Sequence, residues 1–412
     1  MHENKFSPSR RKKLMSITLS DAPTTADCAA ILKHLTHFDT TSRNSNLDLI
    51  EDVRGVLNSL GVESRLTFNQ EQTKANLWAT IGPKDTGGIV LSGHTDVVPV
   101  DGQDWSSDPF TLTERDGRLH GRGWADLKGF IACVLAHARR MKNAELKVPM
   151  HFAFSYDEEV GCTGVKGLIQ DMKDNLPPPI AVIVGEPTSM QIIGGHKGGH
   201  SYFVEVRGVD GHSSLPDLGA NSIFAAARIV TFLQDLQQRL KEKADPDNGF
   251  SPYYTTIDCG MISGGTAHNI IPALCTFGWG FRNIPGDDPH ELAKEVFDFV
   301  EKEINPGLKA ISPEAGVYHT LRADVPCLEP NESSPAEMLI RHLTGLNHSG
   351  RVSFGTEAGH FQTAGVPGVI FGPGSIEQAH LPDEYIDVSQ MSACSDFLYK
   401  LTDWAVTGDA IG

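Results

Sequence analysis

Apolar residues recur every three to four positions from Ala26 to His37 and again from Asn46 to Leu60, the spacing of one-sided helices. Short apolar runs bounded by Gly or polar turns follow at Ala75–Ile81, Gly88–Val98, Met150–Tyr156 and Ile180–Val184, lengths that suit buried strands. Strands separated by helices predict an α/β layer with a largely parallel central sheet flanked by helices, in which ligands gather at the C-terminal strand ends. The texture changes at the Gly-rich segment Gly194–Gly199. Beyond it the pattern reads strand (Ser201–Val206), helix (Asn221–Glu242), two strands (Tyr254–Met261 and Cys275–Arg282), helix (His290–Glu303) and a last strand near Leu308–Ile311. This βαββαβ order is that of a two-layer, ferredoxin-like sandwich. Helix, strand and helix then resume at Ser334–Thr344, Val366–Phe371 and Ser389–Ala405. The expected organisation is a discontinuous catalytic domain (20–193 and 314–412) with an inserted lid domain (194–313) and a disordered leader at residues 1–19.

Composition narrows the function. Lys plus Arg number 35 against 52 Asp plus Glu, a formal charge of −17, which argues against a nucleic-acid partner. No window approaches the roughly 18 consecutive apolar residues of a membrane-spanning helix. The basic cluster Arg10–Lys13 is not followed by a signal-peptide core, because Ser16, Thr18, Ser20 and Asp21 interrupt it, so the expected location is the cytoplasm. The 7 cysteines are dispersed and form no Cys-x-x-Cys pair, unlike a disulfide scaffold or a cysteine-based zinc module. Histidine, at 17 residues, is the unusual entrant.

The sharpest motif is Leu91-Ser92-Gly93-His94-Thr95-Asp96, where an apolar strand ends in a histidine with a carboxylate two residues on. An imidazole that binds metal through one nitrogen needs an acceptor for the other N–H, and Asp96 is placed to supply it. A strand-end histidine is also commonly an ordinary hydrogen-bonded surface residue. In Gly121-Arg122-Gly123-Trp124-Ala125-Asp126, Asp126 stands where a helix begins, so it reads either as an N-cap or as a carboxylate bridging two cations. Asp157-Glu158-Glu159 follows a buried strand, and three adjacent acids repel one another unless a cation or solvent compensates. The functional reading gives Glu159 to the metal and makes Glu158 the group that takes a proton from water and returns it to the leaving amine. Glu186 ends another apolar strand, and His380 sits in a Gly-rich loop after the last. Two histidines and three carboxylates on one rim suit one or two zinc-like ions. Three carboxylates and a hydroxide carry four negative charges, which two divalent cations cancel.

These motifs resemble the co-catalytic dinuclear zinc deacylases and peptidases, a family that includes acetylornithine deacetylase, succinyl-diaminopimelate desuccinylase, aminoacylase and related carboxypeptidases. The resemblance runs from about residue 25 to the C-terminus. Gly185-Glu186-Pro187-Thr188-Ser189, His196-Lys197-Gly198, Gly211-His212-Ser213-Ser214, Phe354-Gly355-Thr356-Glu357-Ala358, Gly372-Pro373-Gly374-Ser375 and Gln378-Ala379-His380-x-Pro382-Asp383-Glu384-Tyr385 look most like its acetylornithine deacetylase branch. The resemblance implies a zinc-aminopeptidase-like catalytic domain and two divalent ions per subunit, Zn2+ with Co2+ able to substitute. In it Asp126 bridges the ions, His94 and Glu186 complete one site, Glu159 and His380 the other, Glu158 is the general acid/base, and the Asp126–Leu127 peptide is cis. His212 would polarise the scissile carbonyl, contributed by the partner subunit of a homodimer formed through the lid. Asn269 and Arg282 would hold the substrate carboxylate, with Gly355 and Glu357 also at the substrate and Glu357 facing the amine of an ornithine side chain. The implied reaction is hydrolysis of an N-acyl amino acid, N-acetylornithine first, with the aminoacylase, dipeptidase and desuccinylase reactions as rivals. A non-catalytic binding protein on this fold would have lost a ligand or the base, and all six residues are present. There is no Gly-x-Ser-x-Gly elbow, no phosphate-binding Gly-x4-Gly-Lys-Ser/Thr loop and no His-Glu-x-x-His helix.

Overall fold

The computed structural model describes residues 19–410, so the expected leader lies almost wholly outside the described residues. The chain divides into two compact units: one holds the residues up to Ile193, Glu332–Ser349 and those from Ala364 on, the other Gly194–Asn331 and Gly350–Thr363.

The first unit is built on a mixed sheet. Its centre is parallel, with Met150–Ser155, Ile89–His94, Ala181–Val184 and Gly368–Ile370 side by side in that order. Every residue of these four strands is buried, as expected for parallel strands covered on both faces. The sheet is less parallel than the sequence suggests, because Ala75–Ile81 joins Met150–Ser155 antiparallel and Ser64–Phe68 adds a half-exposed antiparallel edge. Helix Gly129–Asn143 packs between helices Thr25–Thr36 and Val388–Thr407, and its residues from Gly129 to Ala138 are all buried. Helix Thr25–Thr36 opens with a reciprocal cap, Thr24 accepting from the Asp27 amide while the Asp27 carboxylate accepts from that of Thr24. Among the described residues no helix is long and apolar enough to cross a membrane.

The second unit is a four-stranded antiparallel sheet in the order Thr256–Gly264, Leu274–Arg282, Gly199–Arg207, Gly316–Val325. Cys275, Phe277, Trp279 and Phe281 alternate inward and pack with Val204, Val206, Ile229, Leu233 and Val296. Helices Ser222–Lys243 and Pro289–Phe299 start on side-chain caps from Asn221 and Asp288. Two expectations change here. The segment near Leu308–Ile311 is the helix Asn305–Lys309, begun by Pro306, and the last strand is Gly316–Val325. Because that strand is zipped to Gly199–Arg207, residues 314–331 belong to the second unit rather than the first, and so do 350–363.

Candidate metal centre

In the first unit the C-terminal strand ends converge as sheet geometry requires. Strand Ile89–His94 delivers His94, and its parallel neighbour Met150–Ser155 leads directly into Glu158 and Glu159. On the other side Ala181–Val184 leads into Glu186, and Gly368–Ile370 into the loop bearing His380. The two latter loops are sewn together: Ser189 N donates to Gly374 O at 2.6 Å, Met190 N to Gly372 O at 2.9 Å and Ile376 N to Pro187 O at 3.1 Å. Gly185 is required where it stands, since a Cβ there would lie 2.1 Å from the Phe130 ring.

Two groups of donor atoms result, His94 with Asp126 and Glu186, and Asp126 with Glu159 and His380. Asp126 belongs to both. Its Oδ1 is 3.0 Å from His94 Nε2, and its Oδ2 is 3.3 Å from His380 Nε2, which is also 3.0 Å from Glu159 Oε2. Glu158 and Glu186 each bring an oxygen to 4.0 Å from His94 Nε2. Asp126 is not the cap of the following helix; it sits in an irregular turn with extended backbone, and the Asp126–Leu127 peptide is cis.

The electrostatics are those of a site made for cations. Burial, and then the Asp126 and Glu158 charges, push the Glu186 carboxyl well above the ordinary range, and its Oε1 is buried without a hydrogen-bond partner. Burial followed by Asp126 likewise raises Glu159. Burial opposes the charged form of His94, but its bond to Asp126 and the charges of Glu158 and Glu186 outweigh that and raise it. His380 is raised by its bonds to Asp126 and Glu159. Asp126 is held below the usual carboxylate range: burial works against this, and the bonds from His380 and His94 prevail. The donor set of imidazole nitrogen and carboxylate oxygen, with an orphaned buried oxygen on Glu186, fits divalent ions.

Asp96 departs from expectation. His94 Nδ1 donates to the backbone carbonyl of Asp96 at 2.9 Å, while the Asp96 carboxylate is 3.6 Å away. A carbonyl one turn of strand further fixes the tautomer equally well, which frees the carboxylate. It accepts from Ser42 Oγ at 2.7 Å and from the amides of Glu158 and Glu159 at 3.1 and 3.3 Å. Asp96 thus anchors the acidic loop. Asp157 leaves the cluster to pair with Lys74, and Cys162 Sγ donates to Glu158 Oε1 at 3.3 Å.

The remaining site residues lie in the second unit, His212 and Asn269 at a separate two-stranded ladder and Arg282 at the end of a strand of the four-stranded sheet. Gly211–His212 pairs with Ile270–Ile271, and Ser213 N donates to Asn269 O at 3.1 Å, so His212 and Asn269 are neighbours. Ser214 N donates to His212 Nδ1 at 3.2 Å; a backbone amide can only donate, so the ring proton resides on Nε2. Arg282 ends the strand that begins at Leu274, eight residue steps or on the order of 26 Å along it. Gly355 lies at the Arg282 end, where a Cβ would be 3.1 Å from Val325 Cγ1. Within one chain the structure therefore does not bring His212 and Asn269 together with Arg282 and Gly355. Glu357, expected on a loop facing the site, is buried directly before helix Ala358–Thr363.

A family model described as peptidase family M20/M25/M40 matches residues 90–403. Over 378 residues the chain is 38% identical to an acetylornithine deacetylase of Myxococcus xanthus, covering 90% of this chain and 95% of that protein. An M20 family metallo-carboxypeptidase of Sulfolobus solfataricus is similar in structure, with a TM-score of 0.72 at 18% identity over 92% of this chain and 99% of the other. A Bacillus subtilis protein described as a dinuclear metal-binding peptidase of family M20 gives a TM-score of 0.58 at 15% identity, covering 93% and 98%.

Proposed function

We propose that this chain, which belongs to peptidase family M20/M25/M40, is a cytoplasmic amidohydrolase that cleaves N-acetyl-L-ornithine to L-ornithine and acetate. The observation that carries the reading is Asp126, whose two oxygens face two separate sets of ligands beside a further carboxylate, Glu158. The similarity to an acetylornithine deacetylase over most of both chains supports the substrate.

His94, Asp126 and Glu186 would hold one divalent ion, and Asp126, Glu159 and His380 the other, zinc in both, with cobalt able to replace it. When bound, these ions supply Lewis acidity, acidifying a water and polarising the amide carbonyl. Glu158 accepts the proton of the attacking water, and the amide carbon becomes tetrahedral. The carbon–nitrogen bond then breaks as Glu158 passes that proton to the departing amine. His212, with its proton on Nε2, donates to the developing oxyanion, an interaction commonly contributing a few kcal/mol. Arg282 and Asn269 bind the free carboxylate of the substrate, Arg282 by its two-pronged guanidinium, and Gly355 leaves room for it. Glu357 contributes to recognition of the side-chain amine.

We assign the second unit the roles of lid and dimer contact. Support comes from the separation of His212 and Asn269 from Arg282, which a second subunit resolves by lending its His212 and Asn269 together. Further support comes from the edge strand Thr256–Gly264, where Met261 and Ile262 are exposed, and from Phe224, Leu218 and Leu274, further exposed apolar side chains of the same unit.

The test is a comparison of the zinc- or cobalt-loaded protein on N-acetylornithine, N-succinyl-diaminopimelate, N-acetylmethionine and a dipeptide. N-acetylornithine is expected to give the highest kcat/KM; a higher value for another substrate transfers the assignment to that reaction.

A further inference from the structure

Asp126 and His380 come from segments about 250 residues apart in sequence, yet both must face the same ion to within a few tenths of an ångström. What holds them in register is a buried polar assembly beneath the site. The Glu384 carboxylate is almost fully buried and accepts four bonds: from Arg122 Nη1 at 2.7 Å, Gly123 N at 3.2 Å, Ala125 N at 3.0 Å and Asp126 N at 3.3 Å. It therefore grips the backbone of the turn that presents Asp126. Arg122, equally buried, hands the connection on: its Nη2 donates to Gln103 Oε1 at 2.5 Å, and its guanidinium lies over the Trp105 ring. Trp105 Nε1 also donates to Gln103 Oε1, at 3.1 Å. Both partners of Oε1 can only donate, so the Gln103 amide has one orientation, and its Nε2 points to the backbone carbonyl of His380, 2.8 Å away.

His380 has φ of +65°, in the left-handed region that residues other than glycine seldom occupy. Its imidazole is half exposed, so side-chain packing alone does not fix it. Its backbone is held by the bond from Gln103.

We infer that Glu384, Arg122 and Gln103 form a positioning relay that sets the spacing of Asp126 and His380, with Gln103 governing only the ion bound by Asp126, Glu159 and His380. Glu384, which acts on Asp126, governs both ions. The inference rests on the two-ion reading of the site. None of the three residues touches a reacting atom, and their effect is read in metal uptake rather than in chemistry.

The experiment is calorimetric titration of the metal-free full-length chain with Zn2+, paralleled by the visible absorption of Co2+ added stepwise. Wild type takes up two ions. Gln103→Ala keeps the first step and its Co2+ spectrum, and loses at least about tenfold in affinity for the second. Its apoprotein still unfolds in one cooperative transition, at a lower temperature because Arg122 Nη2 loses its acceptor. Gln103→Glu still accepts from Arg122 and Trp105 but cannot donate to the His380 carbonyl, so it repeats the alanine result. Glu384→Gln weakens both steps. A Gln103→Ala protein that binds two ions with wild-type affinities overturns the relay and leaves the two-ion reading standing, as does recovery of the second step in Gln103→Glu. Loss of both steps in Gln103→Ala also overturns it. Uptake of a single ion by wild type overturns the two-ion reading and the relay with it. If Glu384→Gln does not fold, the two Gln103 variants decide alone.

Discussion

Glu158 and Glu159 are neighbours in sequence with different surroundings. Glu159 meets His380 at 3.0 Å, whereas Glu158 stands 4.0 Å from His94 and takes a bond from Cys162. Glu158→Gln keeps the shape and the backbone bonds to Asp96 but removes the proton acceptor. It is expected to retain both metal equivalents by calorimetry and to lose about a hundredfold or more in kcat; a variant retaining more than a few per cent of activity refutes the assignment. His94, Glu158, Glu159, Glu186 and His380 stand out in the sequence because each carries its chemistry in its side chain and follows an apolar strand, and Asp126 because it stands where a helix begins. The bonds of Asp96, Gln103 and Glu384 to backbone groups do not: the last two span about 260 or more residues, and no local spacing encodes such pairings. The burial of Glu357 likewise shows only in the folded chain.

At the scale of elements, the first four core strands could be read because their apolar runs are continuous. Gly316–Val325 could not, since only three of its ten residues are buried and no apolar run marks it. The short apolar helix before it took its place in the sequence reading. Close packing between elements also sets a test. Gly185 joins strand Ala181–Val184 to Glu186, and its Cα faces Phe130 of helix Gly129–Asn143. Gly185→Ala is expected to destabilise the protein by about 1–3 kcal/mol through overpacking, read from the urea midpoint. It should also weaken the ion held by Glu186; an unchanged midpoint and unchanged uptake would show that Phe130 yields freely.

Across the whole molecule, buried neutral histidines make stability depend on pH. Burial lowers His137 to about 3 and His151, His196 and His319 to about 4, whereas an unfolded histidine titrates near 6.5. Between these values the unfolded chain binds more protons, so the stability they contribute is complete above pH about 6.5 and is lost as pH falls toward 4. The melting temperature of the apoprotein should fall over that interval, and His151→Leu should flatten the decline; an identical slope in the variant would remove His151 from the account. Dimer function has its own measurement: mixing inactive His212→Ala with inactive Glu158→Gln should restore activity if His212 acts across subunits, and no recovery means it acts within its own chain.

The order of the ligands along the chain has a consequence for synthesis. His94, Asp126, Glu159 and Glu186 leave the ribosome first, then the whole second unit, and His380 emerges roughly two hundred residues after Glu186, some ten to forty seconds at ordinary elongation rates. During that interval the group of His94, Asp126 and Glu186 is complete in composition, while the group of Asp126 and Glu159 still lacks its imidazole.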